Sequence, residues 1–116
     1  MSGIIIYHKP TCSTCREAVK TLTDRGVPFT AINYYATPLT KAKLKGLLRK
    51  AGLSPRQILR TKEAMYKKLG LGKKQMSDEQ LIDLMLRHPD LIQRPLVERG
   101  PRAILARPAD SVTELL

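Results

Sequence analysis

The hydrophobic pattern of the amino-terminal third predicts a strand, a helix and a second strand. Residues 3–8 form a short apolar run rich in β-branched side chains, which is typical of a buried strand. Apolar residues then recur at the i, i+3, i+4, i+7 spacing, which predicts a helix over residues 12–26, and residues 28–34 predict a second strand. This order is a βαβ unit and favours parallel strands. The helical stripe consists of Cys15, Ala18, Val19 and Leu22.

The middle of the chain carries helical patterns. One apolar stripe ends at Gly52, residues 55–60 predict a helical turn, and residues 62–69 predict a short helix. Ser77 and Gln80 have the spacing of a capping box, so a further helix begins there and ends before Pro89. The two longer stripes consist of Leu44, Leu47, Leu48 and Ala51, and of Leu81, Leu84, Met85 and His88.

Strand patterns return near the carboxyl terminus. Residues 96–98 and 103–106 lie on either side of an Arg-Gly-Pro-Arg turn, which predicts a hairpin. Pro108 suits the first position of a last helix that continues to the end of the chain. The pattern therefore predicts an α/β fold with a mixed four-stranded core and an all-helical insertion. We expect one domain over 1–116, with its core in 1–36 and 91–116 and the insertion in 37–90.

The charge of the chain is strongly positive. Its 116 residues include 21 Lys and Arg against 10 Asp and Glu, a formal net charge of +11. Nucleic-acid binding often adds aromatic stacking to such charge, and the chain has only four Tyr and one Phe. We therefore expect a small oxyanion, an acidic protein partner or a solvated basic surface rather than nucleic acid. No apolar run is long enough to span a membrane and no signal-peptide pattern is present, so we expect a cytoplasmic protein.

The two cysteines, Cys12 and Cys15, form a single C-x-x-C motif after the first strand. One such pair is at most half of a zinc site, and the positions of the two histidines match no zinc pattern, so we expect no metal. Thiol redox chemistry is the better interpretation of this motif in a cytosolic chain.

Cys12 is the candidate nucleophile because it lies at the start of a helix. The first-turn N–H groups and the helix dipole lower the pKa of a thiol at this place, and the thiolate is the reactive form. His8, Lys9 and Arg16 would add positive potential, and His8 could also relay a proton. Cys15 is either a buried structural thiol or a resolving cysteine within disulfide reach of Cys12.

Three arginines are candidates for binding an oxyanion. Arg60 ends a short apolar turn, Arg94 precedes Pro95 and a strand, and Arg107 precedes Pro108. The planar guanidinium presents several donors to a tetrahedral anion such as arsenate, phosphate or sulfate. Each arginine taken alone would more often be a surface residue. The bond before Pro95 is a candidate cis peptide.

Together these motifs resemble the arsenate reductase family that works with glutathione and glutaredoxin. Residues 6–12 resemble its Y-H-N-P-x-C active-site loop, and residues 80–96 resemble its block with H-P followed by R-P. Arg60, Arg94 and Arg107 align with the three oxyanion arginines of the family, and the resemblance covers essentially the whole chain. It implies a thioredoxin-like fold for the mixed four-stranded core and its helical insertion.

The resemblance also implies a mechanism. The Cys12 thiolate would attack arsenate, and a second thiol would reduce the arsenic so that arsenite leaves. No bound cofactor is expected; the reductant would be an external thiol, either glutathione with glutaredoxin or thioredoxin. Two residues depart from the family: Lys9 stands where it usually has Asn, and Cys15 where it has a hydroxyl residue. Cys15 could therefore form a disulfide with Cys12, which thioredoxin or glutaredoxin would reduce.

Two alternatives remain open. The C-x-x-C motif also resembles Spx-type transcription regulators, which share the fold, bind the α-subunit of RNA polymerase and use the disulfide as a switch. Arg107-Pro108 and His8 resemble the enzymes rather than the regulators. The other alternative is a glutaredoxin-like thiol-disulfide protein without an oxyanion substrate.

Overall fold

The computed structural model describes residues 3–116, and the residues divide into two compact units. One unit contains residues up to 38 and from 94 onward, and the other contains Leu39–Gln93. No helix among the described residues is long and apolar enough to cross a membrane. The strands are β1 (Ile4–His8), β2 (Phe29–Asn33), β3 (Leu96–Arg99) and β4 (Arg102–Leu105), and the α-helices are α1 (Ser13–Asp24), α2 (Lys41–Ala51), α3 (Ala64–Lys68) and α4 (Asp78–Arg87).

A four-stranded mixed sheet in the order β2-β1-β3-β4 forms the centre of the first unit. β1 pairs in parallel with β2, whereas β3 pairs antiparallel with both β1 and β4. The parallel pair places His8 opposite Asn33, so both strands end at the same edge of the sheet. The helix α1 begins beside this edge, which is where ligands commonly bind to parallel strands.

The core of this unit lies between the sheet, α1 and the carboxyl-terminal segment. Ala18 and Leu22 on one face of α1 are fully buried, as the spacing predicted. The helix ends before Gly26, whose φ of +66° is a left-handed conformation that few residues other than glycine adopt. The core cluster consists of Ile4, Ile6, Ala18, Leu22, Val97, Ala106, Ala109, Val112 and Leu115.

The second unit is helical and is held by α2 and α4. Thr40 caps α2 by accepting the N–H of Lys43, and Ser77 and Gln80 form the predicted capping box of α4. The predicted stripes face inward, but His88 lies just past the end of α4 and is only half-buried. The buried side chains of the two helices are Leu44, Leu47, Leu48, Leu81, Ile82, Leu84 and Met85.

Ion pairs link the exposed faces of the same two helices. Lys41 lies 2.7 Å from Glu79 and 3.0 Å from Asp83, and Lys45 lies 2.6 Å from Glu79. These two lysines, together with their side-chain hydrogen bonds, lower the pKa of Glu79 to about 2. Part of the lysine-rich surface of the chain is therefore matched by acidic residues within the same unit.

The last helix differs from the prediction. It is a 3₁₀ helix over Ala109–Leu115, and Pro108 lies outside it in an extended conformation with ψ of 162°. A proline fits the first turn of a helix only if its ψ is also helical, and the ψ of Pro108 is extended. The hairpin was predicted correctly, although β4 begins and ends one residue before the predicted strand.

Replacing Leu22 by Ala should destabilise the chain by about 2–5 kcal/mol, because Leu22 is fully buried and its loss leaves a cavity. Leu116 is 43% exposed, so Leu116→Ala is the matched control and should change the free energy of unfolding by less than about 0.5 kcal/mol. Urea unfolding followed by circular dichroism measures both. Equal losses in the two variants would contradict the assignment of Leu22 to the core.

Candidate active site

Cys12 lies at the turn between β1 and α1 and forms the amino-terminal cap of the helix. Its backbone is extended, with φ of −81° and ψ of 125°, and its Sγ accepts the backbone N–H of Cys15 at 3.4 Å. The turn is closed by a hydrogen bond from the Cys12 N–H to the Lys9 carbonyl at 2.9 Å. The helix start therefore directs a backbone donor at this sulfur.

The surroundings of Cys12 favour its thiolate. Burial raises the pKa of Cys12, but the hydrogen bonds from Cys15 and the guanidinium of Arg94 lower it, and the net result is a pKa below the ordinary value. Cys12 is half-buried, so the sulfur can still be reached from solution. These are the properties of a nucleophilic cysteine.

Cys15 has the opposite environment. Its side chain is fully buried on the inner face of α1. Burial, together with the nearby Cys12 sulfur, raises the pKa of Cys15 to about 12. Cys15 is therefore a thiol at neutral pH, and its sulfur lies within hydrogen-bonding reach of Cys12.

Arg94 is the arginine that contacts Cys12. It is 5% exposed, and its guanidinium forms a hydrogen bond with the Cys12 sulfur. The Arg94 Nη1 also donates to the hydroxyl of Tyr35 at 3.2 Å and lies 3.5 Å from that of Tyr34. Burial acts to lower the pKa of Arg94, but Tyr34, Tyr35 and Cys12 raise it, so the group remains a cation.

Tyr34 and Tyr35 were not predicted as site residues from the sequence. The available signal was their position directly after β2, because parallel strands end at one edge of a sheet and His8 ends the neighbouring strand. What the sequence did not contain was their pairing with Arg94, which lies about 60 positions away along the chain.

Arg107 contacts the same part of the site, because its side chain binds the backbone of Arg94. Its Nη1 donates to the carbonyl of Arg94 at 3.0 Å, while the side chain as a whole is exposed. The bond before Pro95 is cis, as the sequence analysis suggested, and so is the bond before Pro108, which it did not anticipate. The geometry thus groups Arg94 and Arg107 within one unit.

His8 is the last residue of β1 and is half-buried. Burial lowers the pKa of His8 below its ordinary value of 6.5, so the imidazole is mostly neutral at neutral pH. A neutral imidazole adds little positive potential to the site, although it keeps one nitrogen that can accept a proton and one that can donate.

Arg60 belongs to the helical unit. Its backbone N–H donates to the Leu91 carbonyl at 2.8 Å, next to the bridge between Leu59 and Ile92. The Arg60 Nε is buried and has no hydrogen-bond partner among residues 3–116. A buried guanidinium nitrogen of this kind can donate to a water molecule or to an anion.

Comparison with known proteins identifies what the chain is similar to. A family model described as the ArsC family matches residues 7–115. Arsenate reductase from Escherichia coli (strain K12) is 40% identical over 116 residues, which are all of this chain and 82% of that protein. A protein of the same bacterium named "Uncharacterized protein YfgD" is 38% identical, covering 96% of this chain and 94% of that protein.

Solved structures agree with the sequence comparison. An arsenate reductase from Vibrio cholerae superposes with a TM-score of 0.93 at 39% identity, covering 99% of this chain and 98% of that one. The fold is therefore the thioredoxin-like α/β fold of that family, as the sequence analysis expected.

The environment of Cys12 makes a prediction about its reactivity. Iodoacetamide should modify Cys12 and leave Cys15 intact, and the pH dependence of the rate should give a Cys12 pKa below that of the same chain unfolded in urea. Arg94→Gln should raise this pKa, whereas Arg102→Gln, in which the altered guanidinium contacts only the Glu114 carbonyl, should not. Mass spectrometry of the digested chain locates the modification. An unshifted pKa in the folded wild type would contradict an activated thiol.

Proposed function

The chain belongs to the ArsC family, and we propose from that premise that it is an oxidoreductase that reduces arsenate to arsenite by thiol chemistry. The observation that carries the proposal is the contact of Cys12 with two donors, the Cys15 N–H and the Arg94 guanidinium. Both stabilise negative charge on a sulfur that is reached from solution.

In the first step, the Cys12 thiolate attacks the arsenic of dihydrogen arsenate. A sulfur–arsenic bond forms, one arsenic–oxygen bond breaks, and the oxygen leaves as water with the two protons the anion brought. The product is a Cys12 thioester of arsenic acid with a double negative charge. The guanidinium groups of Arg94, Arg107 and Arg60 are the proposed binding groups for its oxygens.

In the second step, another thiolate attacks the Cys12 sulfur. A disulfide bond forms, the sulfur–arsenic bond breaks, and its electron pair stays on arsenic, which changes from As(V) to As(III) and leaves as arsenite after protonation. The two sulfurs are oxidised to the disulfide. His8, held neutral by partial burial, is the proposed proton relay to the departing oxygens.

Cys15 is the proposed source of the second thiolate. A pKa of about 12 leaves roughly one Cys15 in 10⁵ ionised at neutral pH. A well-oriented intramolecular group, however, has an effective concentration of about 10⁵ M or more. Multiplied by the ionised fraction, this gives an effective concentration of the Cys15 thiolate on the order of 1 M. A millimolar external thiol of ordinary pKa supplies less than about 1 mM thiolate. Proximity therefore outweighs the raised pKa.

The resulting Cys12–Cys15 disulfide would be reduced by an external thiol system, either glutaredoxin with glutathione or thioredoxin. Among residues 3–116, no three histidine, cysteine or acidic side chains are grouped in a way that could hold a metal ion. The proposed chemistry is carried by sulfur throughout.

A single-turnover experiment tests the function and the role of Cys15 together. Chain that has been reduced and freed of reductant should release one arsenite per chain from arsenate and become 2 Da lighter, the mass of the two hydrogens lost on forming one disulfide. Cys12→Ser should release none, and Cys15→Ser should release none without added thiol. Arsenite release by Cys15→Ser equal to wild type would contradict the resolving role.

If the wild type forms the disulfide with oxidants but releases no arsenite under any reductant, the enzyme proposal fails. The regulator alternative then predicts that the purified carboxyl-terminal domain of the RNA polymerase α-subunit binds the reduced chain, and that oxidation of the chain abolishes this binding. A glutaredoxin-like protein would instead show thiol-disulfide exchange, with neither arsenite release nor binding to the α-subunit domain.

The arginines are tested by steady-state kinetics with arsenate. Arg94→Ala, Arg107→Ala and Arg60→Ala should each lower kcat/KM by about 10²-fold, because each removes a charged donor from the bound oxyanion. Lysine at the same positions should restore only part of the activity, because an ammonium lacks the two-donor fork. Arg102→Ala is the surface control. An unchanged kcat/KM in Arg60→Ala would remove that residue from the site.

A further inference from the structure

Tyr35 is fixed in place by the turn that follows β2. Its backbone N–H donates to the Asn33 Oδ1 at 3.0 Å, and the Asn33 carbonyl accepts the N–H groups of Ala36 and Thr37 at 3.1 and 2.8 Å. Such a turn, in which the asparagine side chain replaces a backbone acceptor, sets the course of the chain. The ring of Tyr35 also packs against Tyr34 with centroids 5.0 Å apart.

The hydroxyl of Tyr35 holds the guanidinium that contacts the nucleophile. The Arg94 Nη1 donates to this hydroxyl at 3.2 Å, while Arg94 also forms a hydrogen bond with Cys12. A hydrogen bond at one nitrogen of the planar guanidinium fixes the direction of the other donors. Because a phenol is neutral, this contact orients Arg94 without cancelling its charge.

The ring of Tyr35 holds a second cation. The Lys9 Nζ lies 4.8 Å from the ring centroid, within the distance of a cation–π interaction. Lys9 is part of the active-site turn, since its carbonyl accepts the N–H of Cys12. Tyr35 thus contacts two cations. The Arg94 side chain is hydrogen-bonded to the Cys12 sulfur, and the Lys9 backbone is hydrogen-bonded to the Cys12 backbone.

We propose that Tyr35 is a positioning residue that holds Arg94 by its hydroxyl and Lys9 by its ring, and that Lys9 is a further binding group for the oxyanion. This inference rests on the proposed function, because it assigns the anion to the same site. The ammonium of Lys9 adds a positive charge to the site, which stabilises both the bound arsenate and the doubly charged thioester that forms from it.

The test measures binding without turnover. Isothermal titration of arsenate into the Cys12→Ser chain gives a Kd that needs no reductant and no chemistry. Adding Tyr35→Phe should weaken arsenate binding about tenfold, since it removes a hydrogen bond to a charged group. Tyr35→Leu, which also removes the aromatic face, should weaken binding further, and Lys9→Gln should weaken it severalfold.

Rescue and coupling separate positioning from a general loss of structure. Lys9→Arg should restore binding because arginine also interacts with an aromatic face. The double variant Tyr35→Leu with Lys9→Gln should raise the Kd by less than the product of the two single fold-changes. The reason is that Lys9 acts through the ring that Tyr35→Leu removes. Tyr66→Phe and Lys20→Gln are the matched controls, and thermal unfolding monitors the fold of every variant.

The outcomes are distinguishable from those of the proposed function. If the Cys12→Ser chain binds arsenate and the added variants weaken this binding in the expected order, the positioning role stands. If the wild type then releases no arsenite, only the enzyme proposal fails. If Tyr35→Phe and Lys9→Gln bind arsenate as tightly as the parent, the positioning role is wrong even when turnover is normal. Absence of arsenate binding to the Cys12→Ser chain would also overturn it.

Discussion

The proposed chemistry of this chain depends on holding negative charge on the Cys12 sulfur, at the turn between β1 and α1. Burial alone would make the Cys12 thiol harder to ionise. The cap geometry supplies a backbone N–H from Cys15 at 3.4 Å, and the guanidinium of Arg94 supplies a cation. Arg94 itself is nearly inaccessible to solvent, so its charge acts at short range and with little screening.

The same turn separates the two thiols by environment, although they are only three residues apart. Cys12 is the cap and faces the donors, while Cys15 points into the core and has a pKa of about 12. Pairs of titratable groups whose pKa values are pushed apart commonly divide the roles of a reaction between them. In the proposed mechanism, Cys12 makes the first attack, and Cys15 makes the second because it lies close to the Cys12 sulfur.

Local signals in the sequence were sufficient for most of the fold. The apolar periodicity of α1 and the capping box of α4 were predicted correctly, because both depend on residues within a few positions of each other. Pro108 was placed inside the last helix because its residue type suits a first turn, whereas in the structure its ψ of 162° is extended and the helix begins at Ala109. The proline ring fixes φ but leaves ψ to the surrounding structure, so residue type alone does not determine it.

The site was less predictable than the fold, for a related reason. The position of Cys12 followed from the strand-to-helix pattern, but its electrostatics depend on Arg94, and Arg94 depends on a tyrosine hydroxyl after β2. These contacts join segments that no short-range pattern connects. The resemblance to a known family indicated Arg94, whereas Tyr35 and its contact with Lys9 became visible only from the coordinates.

The net charge of +11 is a poor guide to which cations bind the anion. Lys41 and Lys45 are exposed and lie against Glu79, and Lys20 is exposed and lies 2.6 Å from Asp24, so solvent and salt screen them. Arg94 is different because it is buried beside Cys12 and donates to tyrosine hydroxyls. A buried cation is screened less by solvent and salt, so it attracts a nearby anion more strongly than an exposed cation does. The burial and partners of each cation therefore matter more for binding an oxyanion than the total charge.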